Sequence, residues 1–384
     1  MKRIWWVVIA AVVAVAAGLG FWAMAARKDV GGFSSGNPAA DTAAREILIR
    51  CSNDEPCQIK ELHAVVQAQS PAVALYALDV MASRNQNVEK ESHVLAHEIG
   101  YATYDKFKTL PERLSSCRDN AASGCFHGVM MKTIGSDGIP THQVIAHACD
   151  EVKPKPTLYF QCLHGLGHGV MMGRILTAKG VPGIDAIRGS LSDCDATAGW
   201  YEQQSCYAGA FMEYLVASSY QIFHYPVQPK YKAGDLHWPC NVIDTKYVQA
   251  CYQFQGRYIL DAKKWDFPAA FKECWQAPDA GKYECASNIG RDILGTPDRS
   301  HFTYVVNACN QTVNDFQRGA CVTGAGRYIM NYNADVGMAL DFCVAAHGAG
   351  ERECVEAVKG DARFMNVAQS KVDAEIQRTG VGGL

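Results

Sequence analysis

The sixteen cysteines of this chain fall into eight consecutive couples, and that order constrains the fold more than any other feature of the sequence. The couples are Cys51/Cys57, Cys117/Cys125, Cys149/Cys162, Cys194/Cys206, Cys240/Cys251, Cys274/Cys285, Cys309/Cys321 and Cys343/Cys354. An even, fully paired set reads as disulfides formed in an oxidising compartment. Zinc ribbons need close C-x-x-C pairs, and none occurs. The second members recur at 33 to 45 residues, and Cys57 to Cys125 spans two such periods. A cysteine-free repeat therefore belongs in that gap, with its missing second cysteine near Glu91. It lacks both cysteines together, as bridge partners should. A repeat period in the mid-thirties marks an array of helical hairpins.

Local sequence agrees. Similar blocks follow the second cysteines, as in CYQFQGRYIL from 251, CASNIGRDIL from 285 and CVTGAGRYIM from 321. Segments such as DFPAAFKEC and DVGMALDFC, with apolar residues at helical spacing, precede the first ones. Between the two lie short turn-like stretches, for example WQAPDAGKYE with its Pro and Gly. The chain is thus predicted to be all-α, an α-solenoid of eight or nine hairpins. In each repeat helix A starts at the second cysteine, helix B ends at the next first cysteine, and one disulfide joins B to the following A. The period and the couples resemble tetratricopeptide-like solenoids, above all the cysteine-rich secreted kind with one disulfide per hairpin. The resemblance covers residues 47–360. It lacks the Trp and Leu-Gly-x-x-Tyr signature, and the longest repeats exceed the usual length. It implies a fold and a habit of binding partners, and carries no catalytic residues.

Residues 1–26 form a separate unit. Lys2 and Arg3 precede an uncharged apolar run from Ile4 to Ala26, followed by Arg27 and Lys28. About 20 apolar residues suffice to cross a bilayer, which favours a signal-anchor helix. Ala23-Met24-Ala25 fits the small-x-small pattern of a cleaved signal, the alternative reading. Both send the rest of the chain out of the cytoplasm, to the periplasm or cell exterior. Residues 27–46 read as a flexible linker, 47–360 as the repeat domain and 361–384 as a capping segment. The net charge of −3 gives no reason to expect a nucleic-acid partner.

Counting from each second cysteine, or from Glu91, positions +2 and +6 lie on one helical face. In the N-terminal half this face carries His63, His93, His97, His127, Met131, His164, His168 and Met212. In the C-terminal half it carries Arg257, Arg291 and Arg327 at +6. Two His at i, i+4 present a bidentate site for Zn, Cu or Fe. The candidate ligands are His93, His97, His127, His164 and His168, with Met131, Met212 and Glu98 as accessory ligands. Packed helices lie about 8–10 Å apart, so two layers span roughly 20 Å. That distance predicts one metal on His93, His97 and His127 or on His127, His164 and His168, rather than one site with all five. The alternative is that +2 and +6 are packing positions. Glycines accompany the face, and each costs about 1 kcal/mol in a helix, so close helix approach or ligand access to the backbone must repay it.

Arg257, Arg291 and Arg327 are candidates for an anion-binding groove; pairing with Asp261, Asp292 or Glu284 is the other reading. No nucleotide loop, nucleophile elbow or C-x-x-C-H haem motif occurs, and His97-Glu98 lacks the second His of H-E-x-x-H. No catalytic residue can be named from the sequence. Beside metal binding, the sequence supports a membrane-tethered scaffold that holds an envelope protein or peptide on a concave surface. A third reading is an enzyme acting on an anionic substrate between the His and Arg halves.

Overall fold

The computed structural model describes residues 35–118, 123–217, 232, 234–295, 299–333 and 335–381. Eight disulfides join the couples in order: Cys51–Cys57, Cys117–Cys125, Cys149–Cys162, Cys194–Cys206, Cys240–Cys251, Cys274–Cys285, Cys309–Cys321 and Cys343–Cys354. Their Cα–Cα separations are 5.4 to 5.8 Å. No strand is present among the described residues.

Among the described residues nine A helices follow the order the cysteine spacing assigns. They are α2 (Glu55–Ala68), α4 (Gln86–Lys106), α6 (Gly124–Asp137), α8 (Pro156–Thr177), α10 (Trp200–Ala217), α11 (Thr245–Ala262), α13 (Asp279–Leu294), α15 (Asp315–Asn333) and α17 (Glu351–Phe364). The B helices are α1 (Pro38–Cys51), α3 (Pro71–Arg84), α5 (Leu110–Ser115), α7 (His142–His147), α9 (Ile184–Cys194), α12 (Phe267–Cys274), α14 (Phe302–Cys309), α16 (Val336–Ala346) and α18 (Gln369–Thr379). The cysteine-free repeat is real: α3 and α4 occupy it.

The expectation that helix A starts at the second cysteine needs correction. Cys57 and Cys125 do lie in the first turns of α2 and α6. Cys162, Cys206, Cys251, Cys285 and Cys321 instead lie in the second turns of α8, α10, α11, α13 and α15, and Cys354 closes the first turn of α17. The start signals stand upstream of the cysteine. Pro156 occupies the first turn of α8, where its missing N–H costs nothing. Pro278 caps α13, so most of the stretch read as a turn is helix. Its Gly281 is a packing residue; a Cβ there would stand 2.2 Å from the Tyr252 ring. Each of these bridges therefore pins the side of helix A, not its tip, to the preceding segment. Four B helices end on their cysteine, while Cys117 and Cys149 lie just beyond α5 and α7, and Cys343 lies inside α16. Cys240 lies in a turn region rather than on a helix.

Asp54, Ser70, Asn85, Thr109, Thr141, Asp266 and Asp335 accept hydrogen bonds from the first free N–H groups of their helices. Asn37 does the same for α1, with Pro38 at the first helical position. Residues 38–46 are therefore helical and not part of the expected linker; Ala40, Ala43, Ala44 and Ile47 form the buried stripe that holds α1 down. The rest of that linker lies outside the described residues except at 35–37, as does the whole apolar run of residues 1–26. Among the described residues no helix is long and apolar enough to cross a membrane.

From α4 onward each A helix packs on the A helix of the next repeat, with B helices flanking the row. The buried side chains form two cores, within residues 40–125 and within 114–381, which meet at the Cys117–Cys125 bridge. The row curves until its late layers meet its early ones. The Phe364 ring stands edge-on to Phe160 at 5.8 Å, and Thr157 Oγ1 donates to the Phe364 carbonyl.

The recurrent glycines set how near the A helices come. A Cβ on Gly290 of α13 would stand 2.0 Å from the Cys321 carbonyl oxygen of α15, inside backbone that cannot swing away. Gly290→Ala is expected to destabilise the domain by about 1–3 kcal/mol through the helix shift it forces, read as a lower urea midpoint at unchanged slope. An unchanged midpoint would show that this contact is not constrained by packing.

Candidate metal centre

Helix α4 carries His93 and His97, α6 carries His127, and α8 carries His164 and His168. These helices pack in the order α4, α6, α8, and the five rings form one contiguous group. Ring centroids lie 4.6 Å apart for His93–His97, 5.4 Å for His93–His127, 5.3 Å for His97–His127, 4.9 Å for His127–His164, 4.5 Å for His127–His168 and 5.0 Å for His164–His168. His97 and His168 stand two layers apart, yet their centroids are 5.9 Å from each other. The expectation that two layers lie too far apart for the histidines to meet is therefore overturned. The physical reason is the glycine face. A Cβ on Gly128 would lie 2.0 Å from the His97 carbonyl oxygen, and one on Gly209 would lie 1.9 Å from that of His164. The backbones touch where side chains would ordinarily hold helices apart. The glycines thus serve close approach.

Two sets of three histidines each place one donor nitrogen per residue within 4.8 Å of one another: His93/His97/His127 and His127/His164/His168. His127 belongs to both. The Nε2 atoms of His93 and His97 are 3.1 Å apart. Two ligands of a tetrahedral zinc at metal–nitrogen bonds of about 2.0–2.1 Å would be about 3.3 Å apart. The three rings of this first set stand at 70° to 83° to one another.

His97, His127, His164 and His168 are buried, with His127 only 3% exposed. His127 has no hydrogen-bond partner on either Nδ1 or Nε2; Nδ1 of His164 and Nε2 of His168 have none either. Burial pushes the pKa of His97, His127 and His168 well below the usual imidazole value, and the neighbouring histidines push it further. His164 is lowered to about 4, again by burial first and then by His93, against an opposing backbone hydrogen bond at Ser205. Neutral imidazole is the form that ligates metals, so the fold holds these rings ready at neutral pH.

Behind the histidines stands a residue that the ladder of offsets misses. Glu213 of α10 is 1% exposed, and its Oε2 lies 2.7 Å from His168 Nδ1. Burial raises the Glu213 carboxyl to about 8. With its proton on, the Glu213 carboxyl can donate to His168 Nδ1; a cation on His168 Nε2 would favour the ionised carboxylate, which then accepts the ring hydrogen from Nδ1, as carboxylates behind metal-bound histidines commonly do. Glu213 follows Met212, one residue beyond the +6 position that marks the face.

The accessory candidates divide. Met131 is fully buried and its Sδ accepts from Tyr101 Oη at 3.8 Å, whereas Met212 is partly buried against the core. Glu98 turns away to His63, 3.2 Å off, and joins neither histidine set. Each arginine of the C-terminal ladder has its own carboxylate. Arg257 pairs with Asp261 at 3.1 Å, Arg291 with Asp292 at 3.0 Å, and Arg327 with both oxygens of Asp361. Their charge is offset one by one.

Fold and site together define an extracytoplasmic type of protein: an all-helical array closed by eight disulfides around a buried histidine centre able to hold a metal ion. A scan of protein-family models and searches of curated proteins and of solved structures return no match.

Proposed function

We propose that this is a metal-binding protein of the extracytoplasmic space, held at the membrane by its N-terminal apolar segment, with a transition metal on the five-histidine cluster. The observation that carries the reading is His127: a buried ring in the middle of four others, with neither nitrogen hydrogen-bonded. A buried polar atom left without a partner costs about 1–3 kcal/mol, and the cluster contains four, on His127, His164 and His168. Net stabilities are only about 5–15 kcal/mol, so a ligand on these nitrogens removes a large penalty. Imidazole suits Zn, Cu and Fe, and the buried methionine Met131 nearby adds some preference for Cu(I). The tetratricopeptide-like architecture serves here to bring distant helices onto one centre.

The test uses the full-length protein in detergent, purified without a histidine tag. Elemental analysis is expected to find stoichiometric Cu, Zn or Fe, and chelation is expected to lower the melting temperature by several degrees. A metal-free preparation whose melting temperature is unmoved by added Cu, Zn or Fe would overturn the reading.

A further inference from the structure

We infer that the cluster is a two-ion centre in which His127 is shared, one of its nitrogens facing each ion. The inference rests on the metal-binding reading above and extends it from the presence of a metal to the number of ions and their connection.

Five imidazoles exceed what one tetrahedral ion can take. They resolve into two compact sets that have one residue in common, and that residue is the only one of the five with both ring nitrogens buried and unpartnered. His168 has its Nδ1 engaged by Glu213, which leaves Nε2 as its ligating atom. His164 has Nδ1 without a partner. The second set therefore has its own donors and does not borrow from His93 or His97. A neutral imidazole has one lone pair and one N–H. The first ion takes the lone pair of His127. The second displaces the remaining ring proton to solvent, so that the bridging ring becomes imidazolate and contributes one negative charge between the two cations.

The two positions are unequal. Around the first, the rings of His93, His97 and His127 are nearly perpendicular, and the His93 and His97 nitrogens already have the spacing of ligands to one ion. Around the second, His127 and His168 are stacked at an interplanar angle of 22°, so one ring must turn to close on an ion. The first ion is expected to bind more tightly and the second to follow it.

The full-length protein is loaded with Zn(II), freed of excess and analysed for metal per chain. Two ions are expected in the unaltered protein, one in His93→Gln, one in His164→Gln and none in His127→Gln. Because His127→Gln removes a core side chain and can fail to fold, loading the unaltered protein with Cu(II) gives a second readout. Two imidazolate-bridged Cu(II) ions couple antiferromagnetically, so the paramagnetic resonance signal should fall far below two spins per chain. His164→Gln should restore one full spin. One Zn(II) per chain in the unaltered protein, unaffected by His164→Gln, would overturn the two-ion centre and leave the metal-binding reading standing. Two ions with two uncoupled spins, or an ion retained by folded His127→Gln, would overturn the sharing of His127. No bound metal at all would overturn both readings.

Discussion

Reduction of the eight disulfides is expected to unfold the repeat domain at room temperature. Each bridge closes a loop of 6 to 13 residues, and closing loops of this size contributes about 2–3 kcal/mol apiece on the chain-entropy account. Eight such terms together exceed the about 5–15 kcal/mol by which folded domains are usually stable. Hairpins that depend on neighbours for burial then keep only apolar packing to hold each B helix against the next A helix. Most of the sulfurs are fully buried, among them those of Cys162, Cys206, Cys251, Cys285 and Cys354, so reduction should be slow in native buffer and fast in mild denaturant. The bridges of the partly exposed Cys57 and Cys117 should open first. Circular dichroism of the reduced, alkylated protein is the measurement. Helical signal and a cooperative melt retained after complete alkylation would show that the hairpins stand without their staples.

The second large effect concerns Glu213. Glu213→Gln keeps the shape of the side chain and an oxygen that can accept from His168 Nδ1, but removes the carboxyl that a bound cation would ionise to hold the ring hydrogen there. Loss of a carboxylate behind a metal-bound histidine typically weakens binding 10–100-fold. Competition against a chelator of known strength should show a loss in that range while the far-ultraviolet circular dichroism stays unchanged. Equal affinity in the two proteins would place Glu213 outside the metal centre. The residue also gives His168 Nδ1 a partner in a region where the other ring nitrogens have few.

Much of this organisation can be read directly from the residues. The cysteine couples name all eight bridges, because partners close in sequence across a short turn have little choice of mate. The same spacing phases the A helices, including the cysteine-free pair α3 and α4, and so reveals that His93, His97, His127, His164 and His168 occupy equivalent places. It does not mark where those helices begin. A cysteine such as Cys162 or Cys285 records where helix A touches the preceding segment, and that contact falls in the second helical turn. The start of α1 is legible too: Asn37-Pro38 is a capping signal and the alanines behind it form the buried stripe, although composition alone assigns them to a tether.

Helical phase states which face a residue occupies and says nothing of how far that face lies from the next one. With ordinary side chains between the helices, the histidines of α4 and α8 would stand too far apart to meet. Glycine contacts such as Gly128 on the His97 carbonyl and Gly209 on that of His164 bring the backbones together and place His97 and His168 within 5.9 Å. The same approach carries α10 inward and delivers Glu213 to His168. The sequence by itself determined the staples, the repeat phase and the identity of the histidine face. Only the tertiary structure decided that the five histidines converge and that a carboxylate stands behind them, because both depend on the separation between helices, which a one-dimensional period does not encode.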